Sequence, residues 1–551
     1  MAGFRRNVVG SVAATAVCAM ALSFVPAAGA SVSAQPASGT IRIAAEEELT
    51  CADWIASCAA SVWGNWSLGN LTLSQAFNVN PDGDYTPSDL LVDEPTLEPG
   101  PPMKVTYRIK PEAVWSDGQP ITSSDFEYTW KQIVDGKDIY DTTGYVDIAS
   151  IDTTDPKIVV VTFKQPFAAW RDLFGGFYFV LPRHLLEGKN RHKEMKDGYA
   201  FSAGPWKLDG GKKGWKKGKT ITLVPNDAFW GTKPSIGKVI FQFVPESAAE
   251  LKAVETGQVI AAYPLPQTDM LDQLDAQENL TYTVSFGNSF EAFWLNAASF
   301  PLDSKAVRQA VMYATDRQAI ADQIIKPSVR QGRVLQSFVV PNFKEYFSPS
   351  FEKYEPDQSK VDDLMTGDGW KREGGVWTKG GKTAHIEISS TAGNEARALT
   401  EQIWQSQLQQ AGFDVKIRNQ SSDALFGSSL PKGRFSVGLY GGVGTPDPGQ
   451  CVLFCSANIP SKKNDFSGQN FTRTDSPSID KPWKQVDAEL NIDARVAAAK
   501  QGQDALADDV SAIPLFQTPT IFIYDKDKLG GTLVDNTVMG PFFTMNEWVL
   551  K

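Results

Sequence analysis

Histidine is nearly absent from this chain: its 551 residues hold three, His184, His192 and His385, in separate segments. Acyl transfer needs a nucleophile beside a positioned base, and no Gly-x-Ser-x-Gly elbow supplies one. His184 lies just after Pro182 ahead of a short helix, His192 sits in a charged loop, and His385 is expected on a hairpin strand, all of them structural settings. An exported hydrolase is thus the weak alternative, and no enzyme is expected. An excess of basic charge is also lacking. Lys and Arg number 53 against 64 Asp and Glu, for a net charge of −11, which argues against broad affinity for nucleic acid or anionic lipid. The one basic cluster, Lys212 to Lys219, is interleaved with glycines and reads as a solvated hairpin tip. Only three residues separate its Gly214 and Gly218 where a phosphate cradle needs four, so the segment is a turn before a strand at Ile221 to Val224. No solenoid repeat occurs, and no internal stretch is rich enough in Gly, Ser or Pro to act as a linker. Any domains must share the chain by crossing back and forth.

What is present begins with an address. Arg5 and Arg6 precede an apolar run from Val8 to Phe24, and Ala28-Gly29-Ala30 supplies the small residues of a cleavage site. A signal peptide over residues 1–30 is expected, cut near Ala30 or, alternatively, after Ala34. The run is too short and too rich in Ala and Ser for a membrane anchor. Arg5-Arg6 also has a twin-arginine flavour, although Phe4 replaces the usual Ser or Thr ahead of the pair. Lipid anchoring at Cys18 is disfavoured because Thr15-Ala16-Val17 lacks the leading Leu and the small residue before the cysteine.

Removing Cys18 with the signal leaves Cys51, Cys58, Cys451 and Cys455, and an even number in an exported chain suggests pairing. Cys51 with Cys58 and Cys451 with Cys455 are the local pairings. The rival, a zinc site, lacks a histidine at ligand spacing to any cysteine, so no metal and no cofactor is expected.

Short β-like runs alternate with helical stretches along the mature chain, the pattern of an α/β protein. At roughly 150 residues per domain, the length suggests about three or four modules. Thr122 to Gly136 reads as a helix with Phe126, Trp130 and Ile133 on one side, capped by Thr122 with Asp125 or by Ser124 with Glu127. Ser247-Ala248-Ala249-Glu250 reads as a capping box, its helix ended by Gly257 and followed by a strand at Val259 to Tyr263. Asp303 and Ser304 introduce a helix burying Val307, Ala310, Val311 and Ala314, and Asp316 caps the next. Between Glu395 and Ala411 a long helix is expected to turn Ala396, Leu399 and Ile403 inward, stop at Gly412, and pass into a strand carrying Phe413, Val415 and Ile417. Trp370 to Ile388 reads as a hairpin turning at Gly380-Gly381.

Trp115-Ser116-Asp117-Gly118-Gln119-Pro120-Ile121-Thr122, followed by Asp125-Phe126-Glu127-Tyr128-Thr129-Trp130, resembles a hallmark segment of the family 5 extracellular solute-binding proteins. Further landmarks follow in order: Leu181-Pro182-Arg183-His184-Leu185, Ala203-Gly204-Pro205-Trp206-Lys207-Leu208, Asn226-Asp227-Ala228-Phe229-Trp230, the stretch Asn296 to Arg317, Gln405-Ser406-Gln407-Leu408, and Ile513-Pro514-Leu515. The residues themselves have a plainer reading: Asp117 and Gly118 make a turn, and Arg308 pins a helix. The resemblance implies an α/β, two-lobed type II periplasmic-binding fold with an additional subdomain inserted in the first lobe. Lobe I would span 31–286 with an insert at roughly 80–200, lobe II 287–511, and 512–551 would return to lobe I. It further implies an extracytoplasmic, monomeric binder of a small peptide-like ligand, serving the transmembrane permease and separate ATPase subunits of an ABC importer. Cargo would lie between the lobes.

In peptide-binding relatives an aspartate four residues before a proline takes the peptide's α-amine. The matching stretch here is Tyr440-Gly441-Gly442-Val443-Gly444-Thr445-Pro446-Asp447-Pro448, with Gly444 where that aspartate would stand. Either Asp447 reaches the ammonium by a shifted loop, or the cargo carries no free amine; Asp447 also reads as a turn-forming Asp-Pro. From the first lobe the resemblance implies a ligand-contacting loop at Thr50, Asp53 and Trp54, with Trp54 either stacking on cargo or lidding the core. Haem, a metal chelate or an oligosaccharide remains the alternative cargo.

Overall fold

A strand buried on one face alternates apolar and polar side chains, and the run Ser38–Ala45 (β1) does so through buried Ile41 and Ile43. It lies near the middle of an 11-stranded sheet. The remaining strands on the sheet's main path are Trp206–Leu208 (β2), Thr220–Pro225 (β3), Ile236–Phe243 (β4), Ala261–Ala262 (β5), Leu280–Leu295 (β6), His385–Ser389 (β7), Asp414–Ile417 (β8), Val437–Val443 (β9) and Ala512–Asp525 (β10). Their spatial order is β8-β7-β9-β6-β10-β5-β1-β4-β3-β2. β1 runs parallel to β4 and β5, β7 runs parallel to β8 and β9, and β6 is antiparallel to both β9 and β10.

The computed structural model describes residues 37–551 apart from 60, 61, 137, 138, 177, 422, 423, 445, 465 and 467. The expected signal peptide, with Cys18, Ala30 and Ala34, lies outside the described residues. No described helix is long and apolar enough to cross a membrane.

Two hydrophobic cores sit on the sheet. One gathers Trp54, Trp115, Trp170 and Trp206 with Phe522 and Trp548; the other gathers Trp294, Trp404 and Trp483 with Ile513 and Phe516. The strand order leaves β6 and β10 as the connection between the two sides of the sheet. Leu280 to Phe286 pairs with Asp525 to Pro519, Phe290 to Trp294 pairs with Gln517 to Ala512, and the register shifts between Phe286 and Phe290. The break falls on Gly287, where a Cβ would lie 2.3 Å from the Thr537 side chain. A separate four-stranded sheet, Thr96–Glu98, Lys104–Arg108, Ile158–Phe163 and Ile148–Asp152 in that spatial order, packs Val105, Tyr107, Val159 and Val161 into the first core.

The helices include Ser123–Val134 (α1), Ser247–Glu255 (α2), Lys305–Tyr313 (α3), Arg317–Ile324 (α4), Glu395–Gln410 (α5), Pro477–Ala488 (α6) and Ile492–Asp509 (α7). Of the two capping pairs open for α1, Thr122 with Asp125 is the one formed: the Thr122 N–H donates to Asp125 Oδ2 at 2.8 Å. Asp316 caps α4 by accepting from the Ala319 N–H at 2.8 Å. Arg308 does pin its helix, donating to the Leu302 carbonyl and pairing with Asp509 at 2.7 Å. Lys212 to Lys219 forms the expected exposed turn, with Trp215–Lys216 paired antiparallel to β3.

Three local expectations fail. The helix at 247 is not opened by a capping box: Glu246 holds the N-cap position without a side-chain cap, Ser247 is already helical, and Glu250 turns into the interior. On α5 the buried stripe is Thr400, Glu401, Trp404 and Leu408, while Ala396 is exposed and Leu399 is 42% exposed. Trp404 is the largest apolar side chain on the helix, and its stacking on Phe293, ring centroids 4.3 Å apart, sets which face turns inward. The Gly380-Gly381 turn is present between Val376–Lys379 and Lys382–Thr383, but His385 has left that hairpin for β7, with Nδ1 2.7 Å from Asp414 Oδ2.

Glu250 carries a stability prediction. Its carboxylate oxygens are buried without hydrogen-bond partners, and burial together with the neighbouring Glu46 pushes its carboxyl up to about 9. In the unfolded chain it ionises near the ordinary value of 4.5, so the unfolded state gains from every rise in pH between about 4.5 and 9 while the folded state does not. Glu250→Gln is expected to raise the unfolding temperature by a few degrees at pH 8 and by much less at pH 5, measured by calorimetry. An equal effect at both pH values would refute the buried neutral carboxyl.

Candidate functional site

Between the two cores lies a concavity of about 310 Å³ whose walls come from both sides. The first-core side contributes Asp84 and Tyr85, on the hairpin Phe77–Val79/Tyr85–Pro87, with Glu94 and Arg171. The other side contributes Lys344 and Tyr346 from the turn Pro341–Tyr346, Asp447 beyond β9, and Arg495 from α7. Each lining cation already has a carboxylate: Arg171 with Glu94 at 2.8 Å, Lys344 with Asp84 at 3.1 Å across the gap, and Arg495 with Asp447 at 2.5 Å. Asp447 is 8% exposed and also accepts from the Gly449 N–H at 2.8 Å. A larger groove of about 590 Å³, lined by Tyr313, Tyr354 and Lys360, lies wholly against the second core and has no wall on the first.

Asp172 and Asp487 stand just behind the cleft walls. Burial, then the Asp447 charge, pushes each of them up to about 7. The Tyr85 hydroxyl donates to Asp172, and the Ala168 N–H donates to the Asp487 carbonyl at 2.7 Å, joining the two sides.

Asp447 is the residue of the sequence-derived ligand set that lines this cleft. Thr50 is exposed. Asp53 is 0% exposed, paired with Arg191 at 2.9 Å and with His192 at 3.1 Å. Trp54 is 2% exposed and donates its indole N–H to the Tyr199 hydroxyl, the setting of a lid over the core. Tyr440, Gly441, Gly442 and Val443 lie on β9, where Tyr440 stacks on Trp294 at 5.1 Å. β9 pairs with β7 at Val437 and Gly438; past that partner the Leu439 carbonyl accepts from the Ser390 hydroxyl at 2.8 Å, and among the described residues no strand pairs with the outer edge beyond it. The Gly444 N–H donates to the Asn288 carbonyl at 3.0 Å. Cys51 is bonded to Cys58 and Cys451 to Cys455, with Cα atoms 5.8 and 4.6 Å apart.

Tyr85, Arg171, Lys344, Tyr346 and Arg495 were not singled out from the sequence. They come from separated segments and carry no shared motif; the nearest signal was the Asp-Pro beside them.

The sequence profile of the bacterial extracellular solute-binding proteins, family 5 middle, matches residues 100–457. The oligopeptide-binding protein OppA of Mycobacterium bovis and Mycobacterium tuberculosis is 28% identical over 458 residues, 81% of this chain and 75% of that protein. The nickel-binding periplasmic protein of Escherichia coli is 24% identical over 77% of this chain and 80% of its own length. Among solved structures, the periplasmic EDTA-binding protein EppA superposes with a TM-score of 0.82 at 23% identity, covering 94% of this chain and 97% of that one. AppA of Bacillus subtilis, in complex with a nonapeptide, gives 0.78 at 20% identity, covering 94% and 99%. The fold is thus the expected two-lobed type II arrangement.

The setting of Asp53 is that of a structural ion pair. Asp53→Ala breaks the buried pair between Asp53 and Arg191 and is expected to cost roughly 3–5 kcal/mol, read from urea unfolding, whereas Thr50→Ala at the exposed neighbour should stay within about 0.5 kcal/mol. An Asp53 variant as stable as its parent would remove the structural role.

Proposed function

The chain belongs to the bacterial extracellular solute-binding proteins, family 5, a family of binding proteins rather than enzymes, and from that premise we propose that it captures oligopeptides between two lobes and delivers them to the permease of an ABC importer. We assign lobe I to residues 31–286 with the insert at roughly 80–200, lobe II to 287–511, and a return to lobe I in 512–551. We place the crossing on β10 near Gln517 to Pro519, opposite the register shift between Phe286 and Phe290. The chain works exported, its signal peptide cut near Ala30, as a monomer without cofactor, and the ATPase is a separate subunit.

The cleft supports this most directly: its walls come from both cores, and the sheet joins those cores through two strands that break register between them. A ligand touching both walls favours the closed form; a ligand touching one shifts nothing. A peptide suits the site because the outer edge of β9 beyond Leu439, whose carbonyl already accepts from the Ser390 hydroxyl at 2.8 Å, offers main-chain groups to an extended chain of any sequence. Each hydrogen bond nets about 1 kcal/mol, so several, with apolar burial, are needed for micromolar binding at roughly −8 kcal/mol. One observation favours a second cargo. Gly444 replaces the amine-anchoring aspartate and Asp447 already holds Arg495, which suits a solute without a free amine, such as a metal chelate, haem or an oligosaccharide. Relatives named for nickel and EDTA binding share the fold.

Mass spectrometry of small molecules released by denaturing the purified mature protein tests the cargo. Short peptides of mixed sequence are expected. Haem absorbance, a bound chelate or glycans in their place would move the cargo to the second class, and small-angle scattering that showed a rigid body unaltered by any recovered solute would end the two-lobe mechanism.

A further inference from the structure

The cleft holds more carboxyls than its cations can neutralise. Arg171, Lys344 and Arg495 are matched by Glu94, Asp84 and Asp447, and neither Asp172 nor Asp487 has an ion-pair partner among the described residues. These two carboxyls belong to opposite sides. Asp172 ends the turn Trp170–Asp172 beside the first core, and Asp487 lies in the last turn of α6 beside the second. Their surroundings converge on Asp447. The point that a Cβ on Gly449 would occupy is 2.9 Å from Asp487 Oδ1 and 3.0 Å from Asp447 Oδ1, so a backbone without a side chain is what lets the two carboxylates approach. From the first side, Ala168 donates to the Asp487 carbonyl four residues before Asp172. Besides Asp447 and Arg495, Asp172 faces Tyr85 and Asp141, and Asp487 faces Asp147; Tyr346 faces the Arg495 and Asp447 pair.

We infer that Asp172, Asp447 and Asp487 form a proton-operated latch between the two sides, in which closing the cleft gathers three carboxyls around one guanidinium and therefore takes up protons. The inference rests on the proposed opening and closing of the lobes but not on any cargo. When the sides part, Asp172 and Asp487 return to water and to the ordinary carboxyl range near 4; together they stand at about 7. Closure is thus favoured fully below about pH 4 and loses that contribution steadily as pH rises from about 4 to about 7, where the open form has ionised and the closed form has not; above that both forms are ionised and the dependence levels off. With two groups involved, the closed-to-open ratio should fall on the order of 10–100-fold between pH 6 and pH 8. Ligand-driven closure would then be easiest on the acidic side of neutrality.

The test uses the mature chain without ligand, so a failed search for cargo leaves it readable. Small-angle scattering from about pH 4 to 8.5 should show a compact form at low pH whose population falls as pH rises toward 7 and levels off above about 8. The double variant Asp172→Asn with Asp487→Asn should remain compact at pH 8, and Asp82→Asn, an exposed acid on the same wall, should open as the parent does. Carbon-13 carboxyl titration of the parent gives a reading independent of any variant's folding: both aspartates should titrate well above 4. A pH-independent envelope in the parent, an unchanged opening in the double Asn variant, or ordinary titration near 4 would each overturn the latch.

Discussion

Everything in this molecule hangs on two strands that serve two cores. β6 and β10 hold hydrogen bonds to each other nearly end to end; β6 packs in the second cluster along its whole length, from Leu280 to Leu295, while β10 serves both, turning Phe522 into the first cluster and its neighbours Ile521 and Ile523 into the second. Hydrogen bonds along a continuous ladder resist shear and twist, so any freedom between the cores must collect where the ladder skips. It skips most widely between Phe286 and Phe290, with a second shift between Glu291 and Ala292, and at the wider break side chains replace sheet pairing: Gln517 Nε2 donates to the Gly287 carbonyl at 2.8 Å and to Asn342 Oδ1 at 2.9 Å. Asn342 in turn donates to the Phe286 carbonyl at 3.0 Å. Two amide side chains thus satisfy the backbone groups that the bulge releases, and one of them belongs to the turn that lines the cleft.

Buried ion pairs complete the scaffold by tying together segments distant in sequence. Asp53 meets Arg191, Arg308 meets Asp509 and Asp447 meets Arg495. Such pairs add little net stability over apolar packing, but removing one partner is expensive, so each fixes a geometry more than it strengthens the fold. For Asp53 the geometry fixed is the loop carrying the Cys51 to Cys58 bridge. For Asp447 it is the loop carrying the Cys451 to Cys455 bridge, close to the cleft.

The sequence was legible where a local interaction decides the outcome. The Thr122 and Asp125 cap, the Asp316 cap and the Gly380-Gly381 turn each depend on residues within a few positions, and each formed. It misled where a tertiary partner wins over local pattern. Leu399 and Trp404 cannot share a face of α5, and the ring of Phe293, more than 100 positions away, chose Trp404. Glu250 looked like a cap because spacing alone cannot tell an outward carboxylate from one drawn into the interior. The cleft was the least legible part: Tyr85, Arg171, Lys344 and Arg495 meet only because the chain crosses between cores twice, and such juxtaposition leaves no periodicity behind.

Gly444 shows how the same crossings constrain recognition. Its amide is tied to the Asn288 carbonyl inside the register break, and a Cβ there would sit 3.0 Å from that oxygen and 3.1 Å from the Asn288 Cβ. A side chain at 444 would therefore require Asn288, in the segment where the ladder breaks, to shift by a few tenths of an ångström. Gly442 is more tightly constrained, since a Cβ would fall 2.5 Å from the Phe290 ring. Two consecutive residues of β9, Gly441 and Gly442, thus carry no side chain, and the amide of Gly444 just past the strand is tied to the segment where the β6–β10 ladder breaks.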